Sequence, residues 1–321
     1  MAHVQRESVG LGTYFLMRYS VSSITHCMSG LSGVIVAAKG IPDPWITLVS
    51  FTAPGLGGFA TLLLNDYFDR KVDQVIRPWR PIPAGKMRVN QYITLAFTII
   101  TLGFILTISL FNLSCLLIAL VAAVSAVSYN VSKSRRYIGQ LAIALSSSLS
   151  FIYGYAASKP ALEPVPLVLT VGLMSLINGL SYSFFTSIPD AVEDKIGGAV
   201  TVSVKFGSGK AAKMSFATLI CEMILGFLPF TLGYLNLNYL LTFLTARITL
   251  LGVHAFFVKN PGKRLADFVR NTYSFTRMVV AIAFPFGIFP YDLGIIFIPL
   301  LCLLIIVTPI RYFTSAFELK Y

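Results

Sequence analysis

NDYFDRKVD, residues 65–73, sets an asparagine and three aspartates within nine residues of a chain that is otherwise oily. At about 100° per residue, Asn65, Asp66, Asp69 and Asp73 share one face of a helix. A second acidic stretch, PDAVEDKIGG, residues 189–198, holds Asp190, Glu193 and Asp194, with Asp190 and Asp194 again one turn apart. Together the two stretches contain six of the 13 acidic residues in the 321-residue chain. Acids that scarce and that clustered need a cause.

The surrounding sequence supplies half of it. Hydrophobic residues make up 56% of the chain and charged residues 12%, with a mean hydropathy of +0.77. A soluble domain averages about 25% charged residues, so this composition belongs to a bilayer. Apolar runs of membrane-spanning length occur near 14–38, 45–64, 91–111, 113–129, 138–157, 165–187, 212–233, 238–257, 274–290 and 293–312. The last two adjoin across Pro290 and Tyr291, so the count is nine or ten. The expected fold is all-α: one polytopic membrane domain over 1–321, about nine transmembrane helices around a central cavity.

Basic residues orient it. The N-terminus, the connections after every second helix and the C-terminus hold 21 of the 25 Lys and Arg, while Lys39 and Lys159 stand alone on the other side. The positive-inside rule then places both acidic stretches and both termini in the cytoplasm. The net charge of +12 reflects topology rather than a nucleic-acid partner, and no obligate protein partner is implied. Cys27, Cys115, Cys221 and Cys302 are isolated within spans and read as packing residues. His3, His26 and His254 form no ligand pattern. APGLGG, residues 53–58, leaves two readings open for its helix: a break beside a cavity, or close packing through small residues.

Like carboxylates at a membrane edge repel and are poorly solvated, so a cation is their natural neutraliser. An all-oxygen donor set without His or Cys suits Mg²⁺, which commonly shares its shell with substrate phosphates. Positive groups lie nearby. RPWRPIPAG, residues 77–85, follows the first cluster, and its three prolines predict an extended cover in which Arg77 and Arg80 clamp anionic oxygens. YNVSKSRR, residues 129–136, puts Tyr129 and Lys133 on one helical face, with Arg136 beyond them. Arg70, Lys71, Lys86 and Arg88 are accounted for by topology alone.

With these elements in order, the sequence resembles the UbiA superfamily of intramembrane prenyltransferases. NDYFDRKVD fits the family's NDxxDxxxD, DAVED fits its DxxxD, Gly198 and Thr201 match the usual downstream pair, and YNVSK is similar to its Tyr-xxx-Lys. The likeness runs from Arg18 to about Gly287, leaving 293–312 as an additional apolar segment. It implies Mg²⁺-dependent transfer of an isoprenyl group from a prenyl diphosphate to a lipophilic, aromatic or ring-bearing acceptor. It also implies that Asn65, Asp66, Asp69, Asp73, Asp190 and Asp194 hold the metal, with Asp69, Asp190, Asp194, Tyr129 and Lys133 as the catalytic set. Arg18, Arg77 and Arg136 would contact the diphosphate beside Asn65. Thr186 and Ser187 stand where many lipid-making members have Lys-Asp, and Ser203-Val204 where Leu-Pro-Val is frequent, which leaves the acceptor open. A terpene cyclase of the same family would need the same diphosphate site and no acceptor. A transporter would place ionisable groups near the midplane, where only Glu222 and Arg247 qualify. Tyr153, Tyr155, Tyr182, Phe184 and Phe185 are candidates to face an allylic cation.

Overall fold

The computed structural model describes residues 10–132, 138–259, 261 and 263–289. Its elements are α1 (Leu11–Ala38), α2 (Pro44–Ile76), α3 (Val89–Ile108), α4 (Leu113–Ser132), α5 (Ile138–Ser158), α6 (Val165–Thr186), α7 (Ala191–Ile196), α8 (Val202–Phe206), α9 (Ser208–Leu225), α10 (Leu228–Thr231), α11 (Leu237–Lys259) and α12 (Lys263–Phe286). Among the described residues there is no strand. Among the described residues, eight helices are long and apolar enough to cross a membrane. The ninth long helix, α12, carries Asp267, Arg270 and Arg277 and packs against α1 and α11. The apolar segment 293–312 lies outside the described residues.

Helix starts follow the local chemistry. Asp43 Oδ1 accepts hydrogen bonds from Trp45 N at 2.8 Å and Ile46 N at 3.0 Å, and Pro44 occupies the first helical position. From that cap α2 runs unbroken for 33 residues, past Pro54, so the break is not the reading that APGLGG realises. A Cβ on Gly55 would overlap Cys27 Sγ, and one on Gly58 would crowd the His26 ring. These glycines let α1 and α2 approach closely, which is how small residues join helices in lipid. On its other side α1 meets α5 in the same way: a Cβ on Gly33 would overlap the Phe151 carbonyl, and one on Gly154 the Gly30 carbonyl.

Two sequence expectations are corrected here. The span expected at 274–290 begins instead at Lys263, so most of the connection expected between it and the preceding span is helix. Its charged residues are compatible with a buried helix because Arg270 and Arg277 face an internal cavity, described below. The Pro-rich segment after α2 is not extended. Hydrogen bonds from Arg80 N to Arg77 O (3.0 Å), Ala84 N to Arg80 O (2.8 Å) and Lys86 N to Pro81 O (2.9 Å) fold it into consecutive turns. Proline's fixed φ suits the second position of such turns as well as an extended chain, and Gly85 supplies a φ of +69°.

A buried apolar cluster of Val36, Phe151, Tyr155, Val171, Met174, Tyr239, Phe243 and Phe284 ties α1, α5, α6, α11 and α12 together. It sits at the end of the bundle away from the aspartates. The interior between that cluster and the 78–86 turns is open.

Candidate active site

A cavity of about 840 Å³ lies between α1, α2, α3, α4, α5, α6 and α12. Pro78, Trp79, Arg80, Pro81, Ala84 and Lys86 roof it. Below the roof, α3 and α4 contribute a mainly apolar wall that includes Ile99, Phe104, Ile118 and Ala122. A small cleft of about 70 Å³ lies next to it, lined by Asp190, Asp194, Thr201 and Gln140. Tyr129, Ser183 and Thr186 border both spaces.

The first acidic cluster occupies the last turns of α2, and its members divide. Asp66 is buried, at 3% exposure. Its Oδ1 accepts from Arg18 Nη2 at 2.5 Å and Arg80 Nη1 at 3.2 Å; its Oδ2 accepts from Tyr14 at 2.8 Å, Tyr19 at 2.6 Å and Tyr92 at 3.2 Å. That fills the acceptor capacity of a carboxylate. In this structure Asp66 is therefore tied into the scaffold by two arginines and three tyrosines. The three tyrosines were missed by the sequence reading, since nothing separates them from the other 12 in the chain.

Asp73 is also buried and accepts from Arg80 Nη1 at 2.6 Å, but its Oδ1 has no hydrogen-bond partner and lies 3.7 Å from Arg77 Nη1. Arg80 sits in the turn segment. Burial and Arg18 both act to lower its pKa, Asp66 and Asp73 act to raise it, and the net shift is upward, so it stays charged.

Arg77 joins the two clusters. Its Nη2 lies 3.4 Å from Asp190 Oδ1 and also pairs with Glu193, while its backbone N–H caps α2 on Asp73 O at 2.8 Å. The α2 end and the α6–α7 turn thus face each other, with a guanidinium where the sequence suggested a cation. Glu193, which the expected metal set does not include, is one of its partners. Asn65 is tied to α4 through Asn130 Oδ1 at 3.3 Å and lies 3.4 Å from Arg18 Nη2. Gln140 accepts from Val202 N at 3.1 Å and so fixes the segment carrying Thr201, whose buried hydroxyl has no hydrogen-bond partner beside Asp190 and Asp194.

Among the described residues no three His, Cys, Asp or Glu side chains already form a metal cage. The donor set nevertheless fits Mg²⁺: it is all oxygen, drawn from two facing helix ends, with the Asp73 Oδ1 and Thr201 Oγ1 atoms unsatisfied on opposite sides. Lys133 and Arg136 lie outside the described residues. Lys86, read from sequence as a topology residue only, borders the cavity. So do Arg270, Ser274 and Arg277 of α12, whose i, i+4, i+7 spacing was a usable signal hidden by reading that segment as a loop. His26 lines the cavity too, hydrogen-bonded through Nδ1 to Ser150 Oγ at 2.7 Å. Of the aromatic candidates, Tyr153 and Tyr182 border the cavity, whereas Tyr155 and Phe185 are buried in packing clusters.

The model of the UbiA prenyltransferase family matches residues 27–276. The chain belongs to that family. It is an integral, multi-pass membrane prenyltransferase. Among curated relatives, the digeranylgeranylglyceryl phosphate synthase of Methanococcus aeolicus is 26% identical over 259 residues, covering 80% of this chain and 86% of the relative. The Methanosarcina barkeri synthase of the same name is 30% identical over 202 residues, covering 63% and 68%. A solved structure described for digeranylgeranylglyceryl phosphate synthase superposes with a TM-score of 0.67 at 25% identity, covering 87% of this chain and 98% of that one. A UbiA homolog from Archaeoglobus fulgidus, bound to GPP and Mg²⁺, gives 0.67 at 16% identity, covering 86% and 98%, a likeness of fold.

Proposed function

We propose that this prenyltransferase binds a prenyl diphosphate through Mg²⁺ between its two acidic clusters and transfers the prenyl group to a lipid acceptor in the adjoining cavity. The observation that carries the reading is the junction itself. Two facing acidic helix ends, bridged by Arg77, adjoin a cavity of about 840 Å³ with an apolar α3–α4 wall: Asn65 lines that cavity, and Tyr129, Ser183 and Thr186 border both it and the small cleft that holds Asp190 and Asp194. Asn65, Asp69, Asp73, Asp190 and Asp194 are the residues that would hold the metal, Asp66 serving only to fix Arg18 and Arg80. Bound Mg²⁺ supplies charge neutralisation to a diphosphate that is otherwise a poor leaving group. Arg77 would exchange its carboxylates for diphosphate oxygens, Tyr129 borders the same junction, and Lys133 and Arg136 follow it in sequence.

As the C–O bond breaks, its electron pair leaves with the diphosphate, and Tyr153, which borders the cavity, would offer its ring to the allylic cation. The apolar wall keeps water from quenching it. An acceptor hydroxyl then forms the new C–O bond, and its proton would pass to an oxygen of the released diphosphate. The relatives' names support a glycerol phosphate lipid as acceptor, in place of the aromatic ring expected from sequence.

Purified protein supplied with Mg²⁺, geranylgeranyl diphosphate and a prenylated glycerol phosphate should yield the doubly prenylated product by mass spectrometry. Asp69→Ala or excess EDTA should remove it. Turnover undiminished in EDTA would refute the metal site, and a terpene hydrocarbon formed without acceptor would replace transfer by cyclisation.

A further inference from the structure

We propose that Gln140 is a positioning residue of the donor site: it holds the 200–203 segment so that the Thr201 hydroxyl completes the oxygen ligands around Mg²⁺ beside Asp190 and Asp194. This rests on the metal-dependent reading above and adds to it two groups that carry no charge. Thr201 lines the small cleft of about 70 Å³ together with both aspartates. It is 8% exposed, and its Oγ1 is buried without a hydrogen-bond partner. A buried hydroxyl left unpaired is costly, so such an atom needs a ligand to explain it.

The local backbone sharpens the point. Thr201 is the residue before α8, with the extended conformation (φ −87°, ψ 167°) of a capping residue. A threonine there ordinarily turns its oxygen onto the backbone N–H groups of the first helical turn. Thr201 makes no such bond. Gln140 serves α8 from another helix: its Oε1 accepts from Val202 N at 3.1 Å, and its Nε2 donates to Ser183 O at 2.9 Å. One buried side chain of α5 thus ties the last turn of α6 to the start of α8. A second tie lies one residue further on, where Ser203 Oγ is 2.6 Å from Ser187 Oγ. These anchors fix Thr201 on the wall of the cleft that also carries the aspartates.

Mg²⁺ is the ligand that suits this group. It takes oxygen donors, charged or neutral, in a near-octahedral shell, and a serine or threonine hydroxyl holds it in phosphate-binding loops. A bare diphosphate would meet the like charge of Asp190 and Asp194, whereas a cation is attracted by it. Groups that orient a ligand without touching the metal commonly change metal affinity by about 10–100-fold, and that is the part assigned to Gln140.

The test uses the full-length protein in detergent and a non-reactive thiolodiphosphate analogue of the donor, with binding measured by calorimetry across Mg²⁺ concentrations. Thr201→Val keeps the shape of the side chain and removes its oxygen. It should raise the Mg²⁺ concentration for half-maximal analogue binding by about tenfold or more, with the unfolding midpoint in EDTA equal or slightly raised. Thr201→Ser should restore the wild-type value. Gln140→Leu should raise the same concentration, and combining it with Thr201→Val should add little further loss, as expected where one residue acts through the other. An unchanged Mg²⁺ requirement in Thr201→Val would overturn the proposal. A loss that persists undiminished at saturating Mg²⁺ would assign the hydroxyl to the diphosphate and refute it. Additive losses in the double variant would detach Gln140 from Thr201 and overturn its positioning role. Wild-type binding equally tight in EDTA would remove the metal reading and this proposal together; a Mg²⁺ dependence shared by the wild type and Thr201→Val would remove only this one.

Discussion

Replacing Asp66 by alanine would leave the guanidiniums of Arg18 and Arg80 short of a shared buried carboxylate and release three tyrosine hydroxyls. Breaking a buried ion pair from one side costs about 3–5 kcal/mol, so the midpoint of thermal unfolding in detergent should fall clearly. Asp69, one turn away in the same motif, should behave differently: Asp69→Ala should reduce turnover by about a hundredfold or more with the unfolding midpoint nearly unchanged. Equal destabilisation by the two substitutions would undo the division of labour drawn from the geometry. Arg77 gives a third expectation. It neutralises Asp73, Asp190 and Glu193 together, so Arg77→Ala should lower the unfolding midpoint in EDTA, with added Mg²⁺ restoring much of the loss. A loss that Mg²⁺ fails to reverse would separate the arginine from the metal.

At the level of helices, α1 is the element that the rest is arranged around, packing on α2, α5 and α12. Its approach to α5 depends on the absence of a side chain at Gly33 and Gly154. Gly33→Leu should prevent recovery of folded protein, whereas Gly57→Ala, where an added Cβ meets nothing within 4 Å, should leave the unfolding midpoint equal or slightly raised. Size-exclusion recovery after detergent extraction checks both. The α9–α11 contact shows a different device. Arg247 Nη2 and Glu222 Oε1 pair at 2.5 Å, with Asn178 Nδ2 donating to Glu222 at 2.9 Å. These were the two charges that a transport mechanism would have needed, and they are consumed by each other within the packing.

On the scale of the whole molecule, the expected orientation puts the aspartate junction and the roof at the cytoplasmic face, from the bias of 21 of 25 basic residues. On a cysteine-free background, Lys71→Cys should react with an impermeant thiol reagent only from the cytoplasmic side, and Lys39→Cys only from the other. The reverse pattern would invert the molecule and the direction from which a prenyl diphosphate reaches it. The roof built from the 78–86 turns makes that direction matter, because the junction lies directly beside it.

The sequence by itself determined that the chain spans a membrane with helices, that its acids form two face-sharing clusters, and which family it resembles. All three are local properties: hydropathy over a window, spacing along a helix, and residue identity at fixed offsets. Only the tertiary structure decided which carboxylates are buried: Asp66 is, and Asp69 is half-buried. Asp66 and Asp69 have the same side chain and lie on the same helix face, and they differ because Arg18, Arg80, Tyr14, Tyr19 and Tyr92 converge on the first from three other segments. It also decided the course of α12, whose charges hide its first three turns from a hydropathy reading, and brought Arg270 and Arg277 to the cavity wall. Partners distant in sequence set burial and electrostatics, and no spacing rule along one helix can report them.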